Sequence, residues 1–373
     1  MQLIKTEYDA KLLEKWREQV SAEQITEQLS EYVELFNAVI GIRNQRAHFE
    51  KYLIGLMSNL ERKSVEPIAL RTMGEKGVRS LQQFMTRSTL DDEKVSERYQ
   101  QLFGASVSSP NGMLSVDSSE NPKKGKHSAG VGRQYCGVLG KVENCQPGVF
   151  CAYAGENGYG LIDGELYFQE KRFTEEYAEL KEKCEVPDEL EFRTKNEIAL
   201  ELIQKTTDKN LLNVKWIGCD SAFGSDHNFL DSLPEGSMYF AGIKSNEQVF
   251  LPETNTPIKV KSFADNDNFP WQTVRLFEGS KGSVYAETKI IRYLSNRTAD
   301  KIATPHSEIW VYLRRDTKGK TRFFISNAPQ NITETELHEA ATLRWPIEQC
   351  FEECKTSLGM DHFEGRTLVP FQP

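Results

Sequence analysis

Two short apolar runs, each leading into an aspartate, constrain this chain more than any other feature. Met113, Leu114, Ser115 and Val116 precede Asp117; Val214, Lys215, Trp216, Ile217, Gly218 and Cys219 precede Asp220. Short apolar runs bounded by turn residues predict buried strands, here each ending in a carboxylate. After a loop at 118–126, further strand-like stretches at 128–137, 145–154 and 160–169 are separated by glycine-rich turns and read as a meander. Thr194-Lys195-Asn196-Glu197 is a capping box opening a helix through Ile198, Leu202 and Ile203. Each aspartate also has a plain reading as a turn-former, since Ser118-Ser119 follows one and Ser221-Ala222-Phe223-Gly224 the other.

A third acid lies near the end of the sequence, in Arg344-Trp345-Pro346-Ile347-Glu348-Gln349-Cys350-Phe351-Glu352-Glu353-Cys354-Lys355. Pro346 suits the first position of a helix and Gly359 its stop. Ile347, Phe351, Cys354 and Leu358 fall at helical spacing on one apolar face, with Glu348, Glu352 and Lys355 on a neighbouring face. Arg344 stands just ahead of the helix, within reach of the same site as Glu348. The plain alternative is an amphipathic helix with a solvated charged face.

A strand–Asp, meander, helix, strand–Asp, helix–Glu order is the layout of a ribonuclease-H-like core. The fold class expected is therefore α/β, a ribonuclease-H-like catalytic core with a β-rich insertion, preceded by an all-helical N-terminal domain. Residues 1–105 carry helical periodicity at 12–32 and 52–60 and a basic stretch with Arg62, Lys63, Arg71, Lys76, Arg79 and Arg87. That arrangement suits docking on a DNA backbone, or equally a helical bundle with ordinary surface charge. A glycine-, serine- and proline-containing stretch at 103–111 marks the boundary. Residues 106–237 form the first part of the core, 238–328 the insertion, and 329–373 a C-terminal helical part of the core carrying the third acid. A second capping box, Thr333-Glu334-Thr335-Glu336, opens the helix before Arg344.

Composition excludes several classes. No run of about 18 apolar residues suggests a membrane span, and the N-terminus lacks the layout of a secretory signal. Seven cysteines without a regular framework or a C-x-x-C pair suggest reduced thiols, a cytoplasmic setting and no structural zinc. A net charge of −9 argues against an overall basic coat but not against a local nucleic-acid patch. Three carboxylates, Asp117, Asp220 and Glu348, suit hard divalent cations such as Mg²⁺ or Mn²⁺. Two such ions about 3.5–4 Å apart serve both the attacking and the leaving oxygen in phosphodiester displacement. Lys123, Lys124, Lys126 and Arg133 form a basic cluster suited to a DNA backbone, with a solvated loop as the alternative. Trp216, Trp271 and Trp310 read as packing residues, the last two with base stacking as an alternative.

The chain resembles the IS701-like DDE transposases of bacterial insertion sequences, within the IS4-type superfamily. The resemblance runs from about Gly55 to Arg366 and begins with Gly55-Leu56-Met57-Ser58-Asn59-Leu60-Glu61-Arg62-Lys63. It continues through Val116-Asp117, Pro122-Lys123-Lys124-Gly125-Lys126-His127-Ser128 and Gly130-Val131-Gly132-Arg133-Gln134-Tyr135 to Asp220-Ser221-Ala222-Phe223-Gly224. At the third acid the family has Tyr, Arg, Glu and Lys at set spacing; Arg344, Glu348 and Lys355 match it, while Ala341 holds the tyrosine position. The resemblance implies that Asp117, Asp220 and Glu348 are the catalytic, metal-binding triad, with Glu352 the lesser candidate. It makes Arg344 and Lys355 contacts to phosphates flanking the cleaved bond.

The activity expected is Mg²⁺-dependent cleavage at insertion-sequence ends, with Mn²⁺ as substitute and two ions, followed by 3′-hydroxyl strand transfer. The partners expected are double-stranded DNA, as element ends and as target, and a second copy as homodimer on DNA. The setting expected is a bacterial cytoplasm, associated with the nucleoid. The family usually continues into another apolar helix after the third acid, whereas here Pro370 and Pro373 close the sequence. That brevity supports an alternative: a truncated, non-catalytic DNA-binding derivative that occupies element ends or inhibits transposition. A ribonuclease-H-like nuclease with a host role is a third reading.

Overall fold

The computed structural model describes residues 22–251, 256–279, 282–299 and 302–368. The part of the 12–32 periodicity before residue 22, and the closing prolines, lie outside the described residues. The chain divides into two compact units, one of Met1–Tyr99 with Cys354–Glu364, the other of Gln100–Glu353 with Gly365–Pro373. No described helix is long and apolar enough to cross a membrane.

In the first unit the described elements are helices: α1 (Ala22–Glu34), α2 (Arg43–Met57), α3 (Val65–Met73), α4 (Val78–Arg87) and the start of α5 (Asp92–Val107). Ile68, Ala69 and Leu81 are fully buried, with Tyr52, Leu56, Leu60 and Phe84 packed round them. The 52–60 periodicity thus supplies one wall of this core. Gly55 is needed where α2 meets α3, since a Cβ there would lie 2.3 Å from Ile68 Cγ2.

The second unit is built on one sheet. Its strands are β1 (Met113–Pro122), β2 (Gly132–Cys136), β3 (Lys141–Gly155), β4 (Gly158–Leu166), β5 (Trp216–Cys219), β6 (Met238–Ile243), β7 (Gln248–Phe250), β8 (Pro257–Lys259), β9 (Gln272–Gly279), β10 (Gly282–Ala299), β11 (Ile302–Arg315) and β12 (Thr321–Ser326). Their order is β2-β3-β1-β5-β6-β12-β11-β10-β7-β8, with β4 on β3 and β9 on β10. Strands β1, β5 and β6 are mutually parallel, and the other pairings are antiparallel. The helices are α6 (Ala178–Lys183), α7 (Lys195–Asp208), α8 (Ser221–Gly224), α9 (His227–Asp231), α10 (Glu334–Leu343) and α11 (Pro346–Thr356).

Alternation along the strands sorts the core into two layers. Leu114, Val116, Ile217 and Cys219 face one cluster, with Ile198, Leu202 and Ile203 of α7. Met113, Trp216, Phe240, Tyr312 and Phe324 face the other, under Leu337, Ala340 and Ala341 of α10. Both capping boxes form: Thr194 with Glu197 on α7, and Thr333 with Glu336 on α10.

Three local expectations change. The first aspartate does not end its strand: β1 continues to Pro122, because the long β3 keeps pairing with it from Asp117↔Phe150 to Pro122↔Cys145. What stops at Val116 is the parallel pairing with β5. Strand β6, which starts where the sequence suggests an insertion, pairs directly with β5. Leu358 falls beyond the last helix and is 39% exposed, since the chain turns at left-handed Gly359 (φ 69°).

Candidate metal and nucleic-acid site

Register brings the two aspartates side by side. Val116 pairs with Cys219 across parallel β1 and β5, so Asp117 and Asp220 each come directly after a paired residue, Asp117 still on β1 and Asp220 just past the end of β5. Neighbouring strands lie about 4.8 Å apart, and the matched positions point to the same face. Asp220 leaves the sheet and caps α8: its Oδ1 accepts from Ala222 N at 2.9 Å and Phe223 N at 3.4 Å. The turn-former reading is therefore also true of it. Asp117 Oδ1 accepts from Ser118 N at 2.7 Å.

The Asp117 carboxyl is raised from 3.8 to about 7. Burial is the main cause and the Asp220 charge the next, with Glu348 acting weakly in the same sense; Arg344 and the Ser118 N–H oppose them. Two carboxylates held this close resist ionising together.

Arg344 follows α10 as its C-cap, and Glu348 lies in the first turn of α11. Their side chains pair, Nη2 to Oε1, at 2.5 Å, with Arg344 12% and Glu348 47% exposed. Arg344 is thus held against the sheet while Glu348 stays open to solvent. The Arg344 Nη1 atom is buried without a hydrogen-bond partner. Gly218 makes room for this arginine: a Cβ there would lie 3.3 Å from Arg344 Cγ and 2.5 Å from Ser115 Oγ. Helix α11 is seated by Ile347 and Cys350 on Ala152, and by Phe351 against Phe150 at 5.4 Å between ring centres.

Asp117, Asp220, Arg344 and Glu348 are therefore brought together. Glu352 is exposed and is not among the charges acting on Asp117. Lys355, in the last turn of α11, belongs to the other compact unit. Ala341 is buried on the sheet-facing side of α10 and supplies no hydroxyl.

Lys123, Lys124, Lys126 and Arg133 gather round an open groove of about 840 Å³. The side-chain amide of Asn144 fixes the loop by donating to Lys123 O at 2.7 Å and Gly125 O at 2.6 Å. His127, Lys171 and Arg172 line the same groove and were not singled out from the sequence. Lys171-Arg172 reads as an ordinary charged turn until the fold places it opposite the loop. Arg172 donates to Val131 O and lies over the Tyr177 ring at 4.6 Å.

Trp216, Trp271 and Trp310 are each engaged within the fold. Trp216 is 2% exposed. Trp271 is flanked by Lys289 at 4.8 Å and Arg315 at 4.0 Å and donates to Ala264 O. Trp310 donates to Ala328 O at 3.1 Å and carries Arg292 at 5.0 Å from its ring centre.

The donors suit a hard cation: all three acids offer oxygen, and a divalent charge between Asp117 and Asp220 removes the repulsion that raises Asp117. Among the described residues, no three acidic, histidine or cysteine side chains already converge as a metal-ligand group. Glu348 is turned to Arg344 instead.

A family model described as DDE superfamily endonuclease matches residues 35–262, a span that includes both aspartates and ends before Glu348. A probable transposase for insertion sequence element IS701 from Microchaete diplosiphon is 31% identical over 319 residues, covering 84% of this chain and 75% of that protein. A solved piggyBac transposase synaptic complex with hairpin DNA aligns over 90% of this chain at 11% identity and a TM-score of 0.37. The present chain spans 63% of that one.

Proposed function

We propose, for a chain that belongs to the DDE superfamily endonucleases and to their IS701-like transposases, that Asp117, Asp220 and Glu348 hold Mg²⁺ for phosphodiester cleavage at the ends of an insertion sequence. Strand transfer by the freed 3′-hydroxyl into target DNA follows at the same site. The observation that carries the reading is that Asp117 and Asp220 each follow directly on the paired residues Val116 and Cys219, with the Asp117 carboxyl pushed up by burial and by its neighbour. The sheet order β2-β3-β1-β5-β6, with β1, β5 and β6 parallel, supports a ribonuclease-H-like core for this unit.

A divalent ion held by these acids would supply charge neutralisation at the scissile phosphate and ease ionisation of the attacking oxygen. Asp117, on β1, and Asp220, at the cap of α8 just past β5, fix the ligand position. Arg344 exchanges Glu348 for a DNA phosphate, which satisfies its buried Nη1 and frees Glu348 to complete the donor set. Lys123, Lys124, Lys126 and Arg133 hold the DNA backbone in the basic groove, together with Lys171 and Arg172. Lys355 contacts a flanking phosphate once DNA is bound, and the basic N-terminal helices carry further backbone contacts.

The test is Mn²⁺ titration followed by electron paramagnetic resonance, alongside nicking of DNA carrying the element's own ends. The wild-type chain binds Mn²⁺ and nicks; Glu348→Ala binds it more weakly and does not nick. Wild-type Mn²⁺ binding that is unchanged in Asp117→Ala overturns the assignment.

A further inference from the structure

The face that carries Asp117 and Asp220 continues across β6, β12 and β11, and its far side bears charges with no role so far. Next to Asp220 stands Gly242, where a Cβ would lie 3.2 Å from the Asp220 carbonyl carbon and from Ser221 N. The Asp220–Ser221 backbone therefore closes over β6 at that level, and Gly242 is buried beneath it. Beyond it Phe324 pairs with Gly242, Tyr312 pairs with Phe324, and Arg314 pairs with Arg322.

Residues two apart on a strand share a face. Arg322 therefore lies on the face of Phe324, and Arg314 on the face of Tyr312, both one step past the aromatic cluster beneath α10. That step leads off the end of the sheet at which Asp220 leaves β5, because β12 runs antiparallel to β6.

The electrostatics of Arg314 are in keeping with that register. Burial holds the Arg314 guanidinium below its ordinary value; Arg322 and Arg344 press in the same direction, while Tyr312 and Glu348 oppose them. Arg314 lies over the Phe324 ring at 5.7 Å, and Arg322 is exposed. Among the described residues neither forms an ion pair with a carboxylate, while Glu348 is paired with Arg344. Arg314 and Arg322, adjacent across β11 and β12 with no carboxylate among the described residues paired to either, repel one another unless an anion joins them.

We propose that Arg314 and Arg322, with Arg344, form a phosphate-binding row that holds a DNA strand past the end of the sheet at which Asp220 leaves β5, a few phosphates from the cleaved bond. This deepens the transposase reading above and rests on it. At about 4.8 Å per strand, β12 and β11 lie roughly 10 and 14 Å from β5. Phosphates advance about 3.4 Å along the axis on each strand of duplex DNA, so the row spans three or four of them. Arginine suits the task because its planar fork takes two phosphate oxygens at once.

The test uses the full chain, a duplex carrying the element's end, and Arg322→Gln, Arg314→Gln and an Arg314→Lys/Arg322→Lys double variant. Thermal unfolding and Mn²⁺ affinity are measured first. The exposed Arg322→Gln unfolds with the wild type, so the proposal stays testable even where the half-buried Arg314→Gln does not fold. Each lost contact lowers the slope of log K against log salt by about 0.9. KM for end cleavage rises about tenfold per arginine, and the lysine variant recovers the slope but not KM. An unchanged salt slope and KM in folded Arg322→Gln and in the double variant overturn the row. Loss of wild-type Mn²⁺ binding at the acids strikes the function instead, and a reduced salt slope in the same protein still supports the row.

Discussion

Replacing Asp117 by asparagine should make the metal-free protein more stable at pH 8. The Asp117 carboxyl titrates at about 7 in the fold against 3.8 ordinarily. A raised acid value means that the fold disfavours the charged form. The penalty is absent below the ordinary value, grows as pH rises toward 7, and is complete above it. One pKa unit corresponds to about 1.36 kcal/mol, so a shift of about three units sets a ceiling near 4 kcal/mol. Solvent at this half-buried site, and the asparagine amide's own need for partners, reduce the expected gain to about 1–2 kcal/mol. For a unit of this size that is about 2–8 °C in Tm. The assay is thermal unfolding in chelator at pH 5 and pH 8, then with Mn²⁺. At pH 5 more than half of the gain should vanish. Mn²⁺ should then stabilise the wild type but not Asp117→Asn, reversing their order. An asparagine variant no more stable at pH 8, or equally stabilised at both pH values, would refute the argument.

Two further substitutions probe the frame of the site. Gly242→Ala places a Cβ 3.2 Å from the Asp220 backbone, which must shift by a few tenths of an ångström; we expect about tenfold weaker Mn²⁺ binding by titration, with the fold retained. Glu336 is held down at about 2, chiefly by the Lys215 ammonium at 2.9 Å and then by the Thr333 cap. Its contribution is full above about 4.5 and is lost as pH falls toward 2. Glu336→Gln should therefore cost about 0.5–1 kcal/mol at pH 7 and progressively less at pH 3, read by denaturant unfolding.

What was legible in the sequence was local. Thr194 with Glu197 and Thr333 with Glu336 announce helix starts because a cap needs only four consecutive residues. The strands ahead of Asp117 and Asp220 are visible as short apolar runs. The continuation of β1 past Asp117 was hidden, since Ser118, Ser119, Glu120 and Asn121 have no strand signature of their own and are held by β3. Register was hidden for the same reason. Nothing near Arg314 or Arg322 indicates that β12 pairs with β6 and so places them on the face of Asp220. Lys171 and Arg172 meet Lys123, Lys124 and Lys126 only through the fold.

The distribution of the four central side chains along the chain has a consequence in time. Asp117 stands on β1 and Asp220 directly follows β5, strands that pair with each other, whereas Arg344 and Glu348 arrive with helices over a hundred residues later. At a synthesis rate of about 5–20 residues per second, a growing chain carries the aspartate pair for about ten seconds before its partners leave the ribosome. Throughout that interval the second unit's sheet lacks the helices that cover Met113, Trp216 and Phe240. The nascent protein thus passes through a stage that has two of its acids but neither the arginine nor the third, and the last helices close the core and complete the site in one event.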